Sequence, residues 1–382
     1  MRTLFFTGPG GAGTTTTAAA AAARAARAGR RTLLLSRQPL PLTGLDAVDG
    51  LQVRTVDPQA GFDGLWQAAA GPLAAVLPQV RLPPASSVVP LPGAGVLALF
   101  AELAAADPDL VVVDAGPISD ATALAGLPAT LRWWLDQVLP PGIRALGAVR
   151  TAAVASGMVR RGPVDAALAA VPAIERLLRS DRLADPADTA VCLVAQPRRG
   201  SADALRRGAL VLGLHGLRPA AVFARVLPDG DSGGEWWTVR RAEQEAALAE
   251  LAELGPVRHV QEHAAAPTEA AALDDLVADF EPVAADPAVP VTERRNGIWQ
   301  LTVPLPFAQR PDADLTRWED DLVVTVAGAR RSLRLDPLLR RCEVTGGRMD
   351  EPGTATARLV VSFQPDPQHW PAELLAAEGR RP

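Results

Sequence analysis

Residues 3–28 read TLFFTGPGGAGTTTTAAAAAARAARA. The apolar, strand-like segment Thr3–Thr7 runs into a glycine loop at Gly8-Pro9-Gly10-Gly11-Ala12-Gly13, and an alanine-rich stretch of helix-forming character follows. Strand, glycine loop and helix N-terminus in that order make an anion site. The glycines let successive backbone N–H groups point inward, and the helix end adds a partial positive charge. The candidate binding residues are therefore Gly8, Gly10, Gly11, Gly13, Thr14, Thr15 and Thr16. A phosphate loop of the GxxxxGK[ST] kind also needs a lysine for the terminal phosphates and a hydroxyl for magnesium. Thr15 stands at the hydroxyl position and is the candidate metal ligand if a magnesium nucleotide binds, whereas Thr14 stands at the lysine position.

The missing lysine belongs to a wider bias. All 38 basic residues are Arg, Tyr is absent, and the only Asn is Asn296. GC-rich coding accounts for the bias, but the chemical consequence stands. Schiff-base, general-base and phosphate-clamping lysines are all excluded. A net charge of −5 gives no basic footprint for nucleic acid. Two cysteines far apart, Cys192 and Cys342, form no CxxC, which excludes a zinc ribbon or a zinc-bridged dimer. Cys192, within the apolar run Val191–Ala195, reads as a small core residue.

With 382 residues, 48% of them hydrophobic, the chain reads as a globular protein of more than one domain. The first segment is strand-like rather than a secretory leader. The uncharged stretch Leu82–Ala101 carries Pro83, Pro84, Pro90 and Pro92, which would break a spanning helix. The expectation is a cytoplasmic protein that is not integral to a membrane.

Over residues 1–280, short apolar runs alternate with alanine-rich stretches, the pattern of a parallel α/β sheet covered by helices on both faces. Strands are expected at Thr3–Thr7, Thr32–Ser36, Leu51–Val56, Leu110–Asp114, Ala190–Ala195, Ala220–Val226 and Val257–Val260. Helices are expected at Thr15–Ala28, Gly64–Leu77, Val96–Ala105, Ala121–Leu139, Asp165–Arg179, Ser201–Leu214, Val239–Leu254 and Glu269–Phe280. Residues 281–295, EPVAADPAVPVTERR, read as a linker. In residues 296–365 short alternating runs at Trp299–Leu305, Asp321–Val326, Ser332–Leu335, Cys342–Thr345 and Ala357–Phe363 predict a small antiparallel β module. Residues 366–382 read as a frayed tail.

These segments carry a resemblance. The loop is similar to the deviant phosphate loop, G-K-G-G-x-G-K-[ST]-T, of the ArsA anion-pump ATPases and of the related ATPase that targets tail-anchored membrane proteins. Both lysines of that loop are replaced, by Pro9 and Thr14. Leu33–Leu40 (LLLSRQPL) resembles the family's L-L-x-S-T-D-P-A, with Gln38 at the water-orienting aspartate and Arg37 at the neighbouring threonine. Leu110–Pro117 (LVVVDAGP) with Leu124–Pro128 (LAGLP) resembles the second switch, D-T-A-P-T-G-H-T, and its leucine-rich helix. Asp114 and Pro117 are kept, while Ala115, Ile118 and Asp120 replace the two threonines and the histidine. Ala221–Pro228 (AVFARVLP) resembles V-x-N-R-V-L-P, whose Asn reads adenine; that position is Ala224. Asp320–Leu339 resembles the small-heat-shock-type (α-crystallin-like) β-sandwich appended to some ArsA-like proteins.

The resemblance implies a phosphate-loop NTPase fold, Mg-ATP as the cofactor, and a homo- or heterodimer with two nucleotide domains face to face. An intact ArsA-like relative is the implied partner, and a protein client is a further one. No catalytic residue of the family is in place. Asp114 would hold magnesium through water or would cap the turn that follows it. Arg37 reads as a surface loop residue, with a phosphate-pairing role as the alternative. Of the tryptophan pairs Trp133–Trp134 and Trp236–Trp237, at least one ring is expected to be exposed. The arginines at 330, 331, 334, 340 and 341 read as a solvated face balanced by Glu319, Asp320 and Asp321, with a protein-docking surface that takes an extended peptide as the alternative. Two functions follow: a non-hydrolysing regulatory or client-binding subunit, or a working ATPase linked to anion transport or membrane-protein handling.

Overall fold

The computed structural model describes residues 2–76, 81–90, 92–156, 158, 163–180, 182–183, 185–230, 233–277, 285–286, 288–295 and 298–370. Seven strands form one parallel sheet: β1 (Arg2–Gly8), β2 (Thr32–Ser36), β3 (Leu51–Thr55), β4 (Leu110–Pro117), β5 (Thr189–Ala195), β6 (Pro219–Val226) and β7 (Val257–Gln261), in the order β3-β2-β4-β1-β5-β6-β7. Each corresponds to an expected strand. Strands β2 and β5 are buried at every position, as continuous apolar runs between two helical layers must be.

Helix α1 (Thr14–Arg27) lies on one face of the sheet. Its alanines 18–23 are all buried, and their small side chains let the helix pack closely on the strands. The opposite face carries α3 (Ala94–Ala105), α4 (Ile118–Val138), α7 (Ser201–Leu214) and α8 (Gly234–Leu251), with Phe5, Phe100 and Val113 in the core between. Helices α2 (Pro58–Val76), α5 (Pro141–Ala155) and α6 (Pro163–Arg179) complete the set. Helix α5 was not expected. Pro141 occupies its first helical position, where the missing N–H is no loss. The helix expected at Glu269–Phe280 is instead a short 3₁₀ turn at Ala270–Leu273, and its last residues lie outside those described.

The β module is a two-sheet sandwich. Strands β10 (Ala313–Trp318), β11 (Asp321–Val326) and β12 (Ala329–Arg334) form one antiparallel sheet. The other, in the order β13-β14-β9-β8, is built from β8 (Val291–Arg295), β9 (Ile298–Pro304), β13 (Cys342–Asp350) and β14 (Arg358–Pro365). Strand β8 corrects the linker reading of residues 281–295, because its backbone ladders onto β9 despite an exposed, charged sequence. The tail reading is corrected at its start. Trp370 N–H donates to Asp366 O at 2.8 Å, and the Trp370 ring packs against the sandwich core. Residues 371–382 lie outside those described.

The sandwich docks on α7, whose Leu210 and Leu214 enter its core beside Leu322, Val324 and Phe363. Gly213 is required there, since a Cβ would sit 2.4 Å from Pro306 Cδ. Phe307 holds φ at +65°, a strained conformation for an aromatic residue. Its N–H donates to Thr354 O at 2.7 Å, and its ring is buried in the α/β core. Arg331 corrects the solvated-face reading of the arginine cluster. It turns inward and donates to the Leu214 carbonyl at 2.5 Å, where a helix C-terminus favours a cation. Arg334 and Arg340 do pair with Asp320 at the surface.

Candidate functional site

The glycine loop follows β1 and opens α1 at the C-terminal edge of the parallel sheet. Gly8 is fixed by close approach, because a Cβ there would lie 2.2 Å from the Val194 carbonyl oxygen of β5. Gly13, with φ +94°, caps α1 in the left-handed region. Beside the loop is a cavity of about 530 Å³, which brings Gly8, Gly10, Gly11, Gly13, Thr14 and Thr15 together with Asp114. Thr16 lines a second cleft on the other side.

Thr15 Oγ1 donates to Asp114 Oδ2 at 2.7 Å. Asp114 Oδ1 also accepts the Gly116 N–H at 3.1 Å and so caps the turn. Ser36 Oγ donates to the Gln38 carbonyl at 2.9 Å and lies 3.4 Å from Asp114 Oδ2. Thr14 is buried, its hydroxyl packed beneath Gly8 rather than presented as a cation would be.

Arg37 corrects the surface-loop reading. It lines the cavity and pairs with Asp120, the residue at the histidine position of the second switch. That partnership joins β2's loop to the start of α4. Spacing could not reveal it, because the two residues are 83 positions apart.

The second cleft, about 310 Å³, lies between the loop and the segment after β7, with Gly13, Thr16, Phe223, Arg225 and Glu262 on its walls. Ala224 does not reach it. Alternation along β6 buries Ala224 in the core on the α4 side and turns Phe223 and Arg225 toward α1. Arg225 Nη2 donates weakly to Gly11 O at 3.5 Å, and its Nε lies 3.9 Å from a Glu262 carboxylate oxygen. Arg225 stands at the Arg of the V-x-N-R-V-L-P motif, but the motif reading looked to the adenine-reading amide one residue earlier and gave Arg225 no role. Period-two alternation in β6 was the signal that points to it.

Do these residues fit a magnesium nucleotide? The cradle does: the glycine geometry and the Thr15–Asp114 pair would hold a phosphate and its metal. A bound nucleotide would supply the phosphoryl group and the metal a divalent charge. The means of cleaving it do not fit. Thr14 is neutral, Gln38 carries no carboxylate, and Arg37 is already engaged by Asp120.

Elsewhere, Trp134 and Trp236 are exposed, and each makes a ring contact with its neighbour. Val138, Ile143, Leu146 and Val149 extend the apolar surface from the end of α4 along α5. No helix among the described residues is long and apolar enough to cross a membrane.

Comparison with known proteins agrees with this architecture. Residues 1–281 match the anion-transporting ATPase family, and residues 296–363 match the HSP20-like domain found in ArsA. An uncharacterized protein of Streptomyces coelicolor is 37% identical, covering 97% of this chain and 99% of its own. A protein of Mycobacterium tuberculosis is 30% identical over 97% of each chain. The chain belongs to the ArsA family of anion-transporting ATPases and carries that family's HSP20-like domain.

Proposed function

We propose that this chain is a non-hydrolysing member of its family that keeps the phosphate loop for shape and binding and acts as a regulatory or client-binding subunit. The observation that carries the reading is the closed Arg37–Asp120 pair beside a buried, neutral Thr14. Phosphoryl transfer needs cations around the transferring group. On the switch side of the loop, Arg37 is the cation lining the cavity, and a carboxylate already neutralises it. Losing one preorganised electrostatic group commonly costs about a hundred- to a thousand-fold in rate, and here several are gone together.

The partner in this reading is an intact relative facing the loop edge, with Pro9 stiffening the loop where the family carries a reaching lysine. The apolar surface of α4 and α5 supports a client-binding role. Steady-state phosphate release from the purified protein with magnesium and ATP tests the reading. The expected rate is background. Release that Gly13→Val abolishes would establish the other function, a working ATPase. Thr14→Lys alone is expected not to restore turnover, because position 38 still lacks its carboxylate.

A further inference from the structure

The two sides of the glycine loop carry different charge arrangements. On the switch side Arg37 and Asp120 are closed on each other. On the β6 side Arg225 is held only weakly, by a long contact to Gly11 O and a loose ion pair with Glu262, and its Nε makes no hydrogen bond. Its guanidinium reaches the loop itself: a Cβ built on Gly13 would lie 3.7 Å from Arg225 Nη1.

A second, buried arginine nearby in the sequence is also only loosely paired. Arg240, on the inner side of α8, is 3% exposed, and none of its three guanidinium nitrogens makes a hydrogen bond. Its carboxylate contact, Glu243 at 3.7 Å, is already taken by Arg198 Nη1 at 3.0 Å and the Arg199 N–H at 3.1 Å. Burial and the nearby Arg198 destabilise the charge on Arg240, while Glu243 and Glu262 favour it. Of these two arginines, Arg225 is the one in ion-pair range of Glu262 and the one that faces the loop. A buried cation is costly unless a negative charge compensates it.

From this arrangement we infer that Arg225 is the cation of this loop: it turns from Glu262 onto a phosphate group bound against Gly11–Gly13. The inference rests on the reading of the loop as a binding site without turnover. It adds the residue that recognises the ligand and the ligand's chemistry, a phosphate group with its negative charge exposed. Arg225 would be a binding residue. A guanidinium suits the task, since its fork matches two phosphate oxygens.

Isothermal titration of the full-length protein with ATP in EDTA, and with inorganic phosphate and adenosine as competitors, tests the inference. ATP is expected to bind, inorganic phosphate to compete and adenosine to compete poorly. Arg225→Gln should weaken binding at least tenfold, whereas Arg225→Lys should stay within about threefold of the parent. Arg310→Gln in the β module, remote from the loop, should leave binding unchanged. Glu262→Gln frees Arg225 and should tighten binding severalfold, a prediction that survives even if Arg225→Gln fails to fold. No binding by the parent protein, equal binding by Arg225→Gln, competition by adenosine alone, or no gain from Glu262→Gln would each overturn it. A parent protein that releases phosphate with magnesium would instead overturn the non-hydrolysing reading and leave the Arg225 result to be judged by itself.

Discussion

The loop edge and the docking face of the β module treat arginine in opposite ways. At the loop edge Arg37 and Arg225 face carboxylates across partly exposed cavities, and the shape beneath them is set by backbone and glycine. At the docking face Arg331 has no carboxylate partner among the described residues. It donates to the last carbonyl of α7, next to an apolar core shared by α7 and the sandwich. One edge is shaped for something that comes and goes, and the other is a permanent joint. Side-chain charge should therefore matter little for stability at the loop and a good deal at the joint, whereas a single extra carbon should matter most of all at the loop.

The largest effect expected is from Gly8→Ala. The new Cβ would fall 2.2 Å from the Val194 carbonyl oxygen, and both sides of that contact are backbone. Either β1 or β5 must shift, at a cost of about 3 kcal/mol or more, read as a lower urea midpoint. A variant as stable as the parent would show that the loop is not held by this close approach.

Next comes acid. His215 caps α7 at the joint, and burial, with the Arg331 guanidinium beside it, pushes its pKa down to about 4 from an ordinary 6.5. The native state then binds fewer protons than the unfolded chain between those values. Stability should be complete above pH 6.5 and fall as the pH drops toward 4, by up to about 3 kcal/mol. His215→Gln should remove that part of the slope. Parallel pH profiles of chemical denaturation for the two proteins check it, and coincident profiles would show that the joint does not hold a neutral imidazole.

This joint was the least legible part of the molecule. The parallel sheet could be read because its five inner strands are short, largely apolar runs, a local property, while the edge strands β3 and β7 carry polar residues at alternate or successive positions. Strand β8 escaped because Thr292, Glu293, Arg294 and Arg295 look like a linker, and only the ladder to β9 makes them a strand. Arg331 escaped for a related reason: its neighbours Arg330 and Arg334 do face solvent, and nothing in the sequence marks the one that turns inward. The loop glycines and Asp114 were legible because their roles are local and backbone-bound. Arg37–Asp120 and Arg225–Glu262 were not, since a pair distant in sequence is set by which strand ends meet.

Arg331→Met keeps most of the packing volume and removes the donor. It should cost about 1–3 kcal/mol, the range for leaving a buried acceptor unmatched. It carries a second readout that a merely structural role would not move. Without the guanidinium, the His215 pKa should rise toward its ordinary value, visible by NMR titration, and the acid slope should narrow.

Arg37→Gln should have the smallest effect on stability and is the most direct challenge to the contrast between the two regions. Both side chains of the Arg37–Asp120 pair are partly exposed, at 27% and 37%. Such pairs contribute roughly 0–1 kcal/mol, because water screens the charges and ordering two side chains costs entropy. The urea midpoint of Arg37→Gln should therefore stay close to that of the parent and well above that of Arg331→Met. Asp120→Asn completes the experiment, since it frees Arg37 without removing it. Stability should again barely change, while affinity for inorganic phosphate rises, because a released guanidinium now faces the same loop. If Arg37→Gln instead costs as much as Arg331→Met, the pair is a structural clamp between β2 and α4. The loop edge would then be a second permanent joint rather than a site poised for a ligand.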